Sequence, residues 1–196
     1  LRETAEDILR TNPLIDNEDL NKLKTLIFKN TVRKQISHIS NMSLEKNKRI
    51  CYLGELFNKD EVVFKTSCCD WREAIRIAGK PLIESNCINS NYAETIIKAV
   101  EELGPYMVFI PQVALAHANS SSDIIKDSMS MLILKESIRF GDKGKDYVRI
   151  IIVLASLNSE SYIDKLVKLV EILEQKSSIE RLIKAQNFED IMYLSN

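Results

Sequence analysis

The residue best suited to chemistry in this chain is His117, which closes the apolar run Val113-Ala-Leu-Ala-His117 and precedes a small polar loop, Asn119-Ser-Ser-Ser-Asp123. A neutral imidazole is nucleophilic near pH 7, and its two nitrogens let one react while a hydrogen bond orients the other. A backbone carbonyl would serve as the orienting acceptor. Phosphoryl transfer asks the protein for positioning and charge stabilisation and for little covalent work, so hydroxyls and amide N–H groups of Ser120, Ser121 and Ser122 are candidates to cradle a phosphate. A strand end opening into a loop is also where α/β folds expose reacting groups. Against this stands a plainer reading, in which a single histidine beside a turn merely hydrogen-bonds there. The residue types alone leave both open.

Other sources of chemistry are sparse. The chain has no Gly-rich phosphate loop, no Gly-x-Ser-x-Gly elbow and no His-Glu-x-x-His helix, so the common self-sufficient catalytic motifs are missing and no cofactor is expected. Cys51, Cys68, Cys69 and Cys87 lack paired Cys-x-x-Cys spacing, and only two histidines exist to join them, which argues against a zinc site or any other metal. They read as reduced thiols, with Cys68 and Cys69 beside a helix start. His38 reads as a solvated or interface residue of a connector helix.

The elements that must position His117 follow from periodicity. The stretch from Asp16 to about Ser40 carries Leu20, Leu23, Ile27, Val32, Ile36 and Ile39 at helical spacing, with a shorter helix expected before Pro13 and a third using Ile50, Leu53 and Leu56. Residues 1–60 are therefore expected to form a helical connector. From Val62 the pattern changes. A β-branched run, Val62-Val63-Phe64, leads to Asp70-Trp71-Arg72-Glu73, a start of the capping-box kind. The helix beyond it presents Trp71, Ile75, Ala78 and Leu82, and Gly79 and Pro81 should distort its last turn. A second helix from Ser90 or Asn91 buries Tyr92, Ile96, Ala99, Val100 and Leu103 before Gly104-Pro105 stops it.

Beyond Pro105 the period falls toward two, and Tyr106–Ile110, Val113–Ala116, Ser128–Leu134 and Tyr147–Ala155 read as strands. Ser128-Met-Ser-Met alternates as a half-covered strand would, whereas Arg149–Ala155 is nearly continuous in β-branched residues and suits a central strand covered on both faces. Three helices close the chain: one from Asn158 or Ser161, one from Ser177 with Glu180 completing a capping box, and one from about Phe188. The expected fold is α/β, a mixed β-sheet flanked by helices on both faces, with an N-terminal helical extension.

Bulk properties set limits. The 196 residues are 45% hydrophobic, enough for a packed core, and the formal net charge of −1 supplies no positive field for tracking a nucleic-acid backbone. Direct nucleic-acid contact is not expected. No run approaches the roughly 18–20 uninterrupted apolar residues that span a bilayer, and no leader opens the chain, so membrane insertion is not expected and the chain reads as soluble and cytoplasmic. It opens on Leu1 and not on Met, which points to a longer polypeptide.

The segment Gly104-Pro-Tyr-Met-Val-Phe-Ile-Pro-Gln-Val-Ala-Leu-Ala-His117-Ala118 closely resembles the active-site segment of the enzyme IIA domains of the phosphotransferase system, mannitol/fructose class, and particularly their ascorbate-type branch. Asp70-Trp71 with Glu73-Ala74-Ile75, Pro81-Leu82, Tyr92, Phe140-Gly141, the Leu154-Ala155 strand end, Leu166 and Leu169 fall in that family's order. The likeness covers the chain from near Cys68 to its end, so residues 61–196 are expected to be the phosphoryl-accepting domain. It implies that His117 receives a phosphoryl group from the carrier protein HPr and, in transporters, passes it to an enzyme IIB partner.

The chain departs from the family pattern at Ala116, where Pro is common, at Asn119, where a charged residue is common, and at Ser161 or Tyr162, where a second histidine is common. Ser161 would then stand in for that second imidazole beside the phosphate. A regulatory domain tolerates such a loss, and enzyme IIA domains also occur at the C-terminus of regulators resembling the BglG-type antiterminators and activators. The leading expectation is thus a sugar-responsive regulatory domain, a phosphohistidine carrier phosphorylated on His117 and acting on neighbouring domains of the same regulator. The alternatives are a phosphotransfer subunit of an ascorbate-like sugar transporter and a degenerate domain that only binds partners.

Overall fold

The run of apolar residues at 149–155 demands cover on two sides, and the fold is the answer to that demand. In a computed structural model, which describes residues 50–118, 121–141, 146–157 and 160–196, a five-stranded sheet lies between helical layers. Its strands are β1 (Val62–Lys65), β2 (Val108–Ile110), β3 (Gln112–Ala116), β4 (Ser128–Arg139) and β5 (Tyr147–Ala155). They stand in the order β1-β4-β5-β3-β2. β5 is the middle strand, parallel to β3 and antiparallel to β4. β1 joins β4 in parallel and β2 joins β3 antiparallel, so the sheet is mixed, as expected. Among the described residues no helix is long and apolar enough to cross a membrane.

Because side chains alternate across a sheet, β5 feeds two cores. Ile151, Val153 and Ala155 pack with Leu132, Leu134 and Ala114 beneath α2 (Trp71–Glu84) and α3 (Asn91–Leu103). Ile150, Ile152 and Leu154 pack with Met129, Met131 and Leu115 against α4 (Glu160–Leu173) and α5 (Lys176–Lys184). β4 corrects the half-covered expectation, since Ser128 through Leu134 are all buried. The serine that made it look amphipathic is satisfied inside: Ser130 Oγ donates to the Ala78 carbonyl of α2 at 2.5 Å. A small hydroxyl there lets helix and sheet approach closely without leaving a polar atom unbonded.

The start of α2 follows its residues closely. Asp70 Oδ1 accepts from the Glu73 amide at 2.8 Å, and Glu73 Oε2 accepts in return from the Cys69 amide at 2.5 Å, one residue earlier than a capping box would place it. Glu73 also pairs with Lys65 of β1 at 2.8 Å. The Lys65 ammonium, and then the Cys69 amide, hold its carboxyl down at about 2. Pro81 does not end α2, which runs on to Glu84 and closes with Ser85 Oγ donating to the Pro81 carbonyl at 2.8 Å.

Three expected elements differ. Only Val108–Ile110 of the segment Tyr106–Ile110 joins the sheet, because Gly104, at φ 76°, and Pro105 turn the chain first, with the Val108 amide donating to the Pro105 carbonyl at 3.2 Å. α5 starts at Lys176, and its N-cap Gln175 makes no side-chain capping bond in place of the box expected at Ser177 and Glu180. The closing helix is a single 3₁₀ turn, Phe188–Asp190, capped by Asn187.

The helices expected at Asp16–Ser40 and before Pro13, and His38 within the first, lie outside the described residues. The part of the connector that is described belongs to the packed body. In α1 (Leu53–Leu56), Leu53 and Leu56 are buried, as are Cys51 and Phe57 beside it, all in the core shared with α4 and α5. The Leu53 amide donates to the Leu194 carbonyl at 2.7 Å, the Gly54 amide to the Met192 carbonyl at 3.0 Å, and the Cys51 amide to Asn196 Oδ1 at 2.9 Å. A Cβ on Gly54 would stand 3.2 Å from the Met192 carbonyl oxygen, so glycine permits this close approach.

Burial of Leu53, Leu56 and Phe57 stabilises the domain by about 1.5–3 kcal/mol each. A chain begun at residue 62 is expected to lose several kcal/mol, or its cooperative transition, relative to one begun at residue 50, read from their urea midpoints. Equal midpoints for the two shortened chains would show that α1 contributes nothing.

Candidate functional site

His117 follows the last residue of β3, at the sheet end where β3 and β5 finish and β4 begins, Ala116 lying opposite Val153 and Ala155 opposite Ser128. Its ring is half-buried and folds back on its own strand, with Nδ1 2.9 Å from the Leu115 carbonyl oxygen. A carbonyl only accepts, so this bond puts the proton on Nδ1 and, in the neutral ring, the lone pair on Nε2. Burial pushes the imidazole pKa below its ordinary value and the Leu115 carbonyl partly opposes that. The neutral, nucleophilic form is therefore favoured at neutral pH. Tyr106 meets the ring edge-on, 5.8 Å between centroids at 86°, and limits its swing.

Beneath the histidine lies a hydroxyl that the periodicity had placed only as core. Tyr92 of α3 is fully buried; its Oη donates to the Leu154 carbonyl at 2.7 Å and accepts from the Ala118 amide at 3.3 Å. Burial pushes its pKa up to about 12, so it stays a neutral donor. The signal was available: a tyrosine in an aliphatic helix face brings a hydroxyl inside, where it has to find a partner.

Residues 122–125, beyond His117, are strapped to the turn between α2 and α3 and to the start of α3. Asp123 is buried, its Oδ1 accepting from Asn89 Nδ2 at 2.9 Å and its Oδ2 from Thr95 Oγ1 at 3.2 Å. The Asn89 amide donates to the Asp123 carbonyl at 3.0 Å and the Ile125 amide to the Cys87 carbonyl at 2.8 Å. The chain leaving β5 is held as well, by the Leu157 amide donating to Asp127 Oδ1.

Of the serines expected to cradle a phosphate, Ser120 lies outside the described residues, as does Asn119. Ser121 opens the 3₁₀ turn Ser121–Asp123. Ser122 is exposed, and its carbonyl accepts from Asn89 Nδ2 at 3.5 Å. Ser161 falls in the first turn of α4, the helix that follows β5, and so at the same sheet end as His117. Cys51, Cys68 and Cys87 are buried and Cys69 exposed, none in a disulfide. Among the described residues no cluster of three or more His, Cys, Asp or Glu could hold a metal ion.

The mixed five-stranded sheet between helices, with an imidazole bonded through Nδ1 where an inner parallel strand ends, matches a family of phosphotransfer domains, the type 2 enzyme IIA class. The chain belongs to that family: the model described as "Phosphoenolpyruvate-dependent sugar phosphotransferase system, EIIA 2" matches residues 55–196. The mannitol-specific cryptic phosphotransferase enzyme IIA component of Escherichia coli is 27% identical over 135 residues, covering 69% of this chain and 91% of the relative. The ascorbate-specific EIIA component of the same organism is 25% identical over 125 residues, 63% and 81% of the two chains. The solution structure of the E. coli cryptic mannitol enzyme IIA superposes with a TM-score of 0.64 at 26% identity, covering 71% of this chain and 95% of that one. Enzyme IIA mannitol in its complex with phosphorylated enzyme IIB mannitol, also from E. coli, gives 0.60 at 23% identity over 68% and 92%, a likeness of fold alone.

The lowered pKa of His117 carries a signed expectation. Between its folded value and the ordinary imidazole value of about 6.5 the unfolded chain binds more protons, so stability rises with pH across that window. Relative to His117→Gln, the wild-type chain should lose stability as pH falls from neutrality toward the folded midpoint, and then level off. An NMR titration of the ring should place that midpoint below the value seen in urea; an equal or higher midpoint contradicts the burial argument.

Proposed function

We propose that His117 is the phosphoryl acceptor of this domain, taking the group from HPr on Nε2 and passing it to an enzyme IIB partner of a sugar transporter. The observation that carries the reading is the bond from Nδ1–H to the Leu115 carbonyl, which leaves the lone pair on the other nitrogen. In the transfer, the Nε2 lone pair forms a bond to phosphorus while the bond from phosphorus to the donor breaks, its electron pair leaving with the donor. The ring, now protonated only at Nδ1 and phosphorylated at Nε2, carries positive charge, and the Leu115 carbonyl stabilises it. Serine hydroxyls and amides of the loop at 119–122, and Ser161 in the first turn of α4, are the groups assigned to hold the phosphate oxygens. A helix start also favours an anion.

The relatives compared are transporter components, both of the mannitol and of the ascorbate kind, which supports the transporter reading over the BglG-type regulator set out first from the sequence. The regulator remains as a second reading on one observation: residues 1–54 precede the family match, while a relative matched over 91% of its own length accounts for only 69% of this chain. In that reading the added charge of about −1.5 to −2 docks or releases a neighbouring domain. Both readings place the chain in the cytoplasm.

With enzyme I, HPr and phosphoenolpyruvate, the wild-type chain should acquire an acid-labile, alkali-stable phosphate and His117→Gln none. Absence of label on the wild type, or equal label on the variant, overturns the assignment. Discharge of the labelled chain onto the cysteine of a mannitol-type or ascorbate-type enzyme IIB supports the transporter subunit; retention of label against both supports the regulator.

A further inference from the structure

The route by which His117 is aimed runs through a residue that never touches the reacting nitrogen. On the strand side its backbone is held by the pairing of Ala116 with Val153. On the other side Ala118 belongs to no strand, yet the ring folds back to reach the carbonyl of Leu115, two residues earlier, at 2.9 Å. Such a fold-back requires the backbone of 117 and 118 to stay turned, because the direction of the ring is set by that backbone as much as by the side-chain torsions. The Ala118 amide is secured by the Tyr92 hydroxyl at 3.3 Å.

That hydroxyl has a single proton. The Leu154 carbonyl at 2.7 Å is the nearer acceptor, and the Ala118 carbonyl lies at 3.3 Å. Tyr92 Oη therefore donates to the end of β5 and accepts from the residue after His117, joining the exits of two neighbouring strands through one oxygen. Its ring is 0% exposed and packed in the core with Ile96 and Val153, so the oxygen is a fixed point.

We propose that Tyr92 is a positioning residue for phosphoryl transfer: its buried hydroxyl pins the backbone beyond His117 against the end of β5 and thereby aims Nε2 at the incoming phosphorus. The proposal rests on the reading of His117 as the phosphoryl acceptor. Without the hydroxyl, the Ala118 amide and the Leu154 carbonyl both lose a partner. Residues 117 and 118 then gain freedom, and the orienting bond to Leu115 opens. Misplacing a reacting group by about 1 Å can cost about a hundredfold in rate.

The test uses the full chain with phosphorylated HPr as donor. Tyr92→Phe should lower the maximal rate of phosphorylation by about ten- to a hundredfold and leave the half-saturating donor concentration within about twofold. ¹⁵N NMR of His117 should show the Nδ1-protonated neutral ring in the wild type and a mixture of tautomers in Tyr92→Phe. Ser130→Ala, which removes a buried bond to α2 away from His117, controls for lost stability and should keep the wild-type rate. A Tyr92→Phe rate within about twofold of the wild type, or a loss equalled by Ser130→Ala, overturns the proposal.

Absence of label on the wild type fails the His117 reading itself and takes the proposal with it. If label is normal but the tautomer is unmoved in the variant, the proposal alone falls. Should Tyr92→Phe not fold, hydrogen exchange on the wild type decides: protection of the Ala118 amide comparable to that in β3 supports the pin, and exchange at the rate of an open loop refutes it.

Discussion

The middle strand has to be dry on both faces, and most of the architecture follows from that. Arg149 through Ala155 offers almost no polar side chain to water, so a helical layer is needed above and below. α2 and α3, which stand between β1 and β2 in the chain, provide one layer, and α4 and α5 after β5 provide the other together with α1. The two cores are separate because alternate residues of β5 point to opposite sides, Ile151 and Val153 to one and Ile150 and Ile152 to the other. Short β3 lies parallel beside β5, and both release their chains at the same end. The His117 imidazole is delivered there by a strand that cannot move independently of the centre of the molecule.

This placement reconciles two needs that pull against each other. A nucleophilic imidazole has to be neutral and directed, which favours a dry, crowded setting, but it has to meet another protein, which favours exposure. A half-buried ring bonded to its own strand, edge-on to Tyr106, satisfies both. The desolvation that keeps the ring neutral would also oppose the positive charge left on it by the proposed phosphorylation. The Leu115 carbonyl is the group positioned to offset that cost, which is why one hydrogen bond to a main-chain oxygen matters more here than any ion pair on the surface.

Much of this was legible from residue patterns. The unbroken run at 149–155 announced a central strand, and the apolar run Val113–Ala116 before His117 announced a strand that ends at that imidazole. Other features were hidden for identifiable reasons. Ser130 imitates an exposed position because its one polar atom is satisfied by a carbonyl in α2 that lies far away in the chain. Gly79 and Pro81 were expected to distort the last turn of α2; the helix runs through both to Glu84 and closes onto Ser85. The turn at Phe188 carried a helical pattern too short to decide between one turn and several. The tie between Tyr92, Ala118 and Leu154 could not be located from spacing, since it joins a helix to two strand ends. The presence of a hydroxyl on an otherwise aliphatic face nevertheless signalled that some such tie existed. Likewise Asp123 read as part of a polar loop, while its carboxylate is buried and bonded to Asn89 and Thr95.

The bonds from Cys51, Leu53 and Gly54 to residues 192–196 have a consequence for how the domain is made. Cys51 and Asn196 are separated by 145 positions, so α1 leaves the ribosome long before the segment that covers it exists. Closing so long a loop comes late in folding. Until then Leu53, Leu56 and Phe57 remain in need of shelter, and residues 192–196 complete the seal. Any lesion that removes residues 192–196 leaves that greasy edge open at the moment when nascent chains most readily stick to one another.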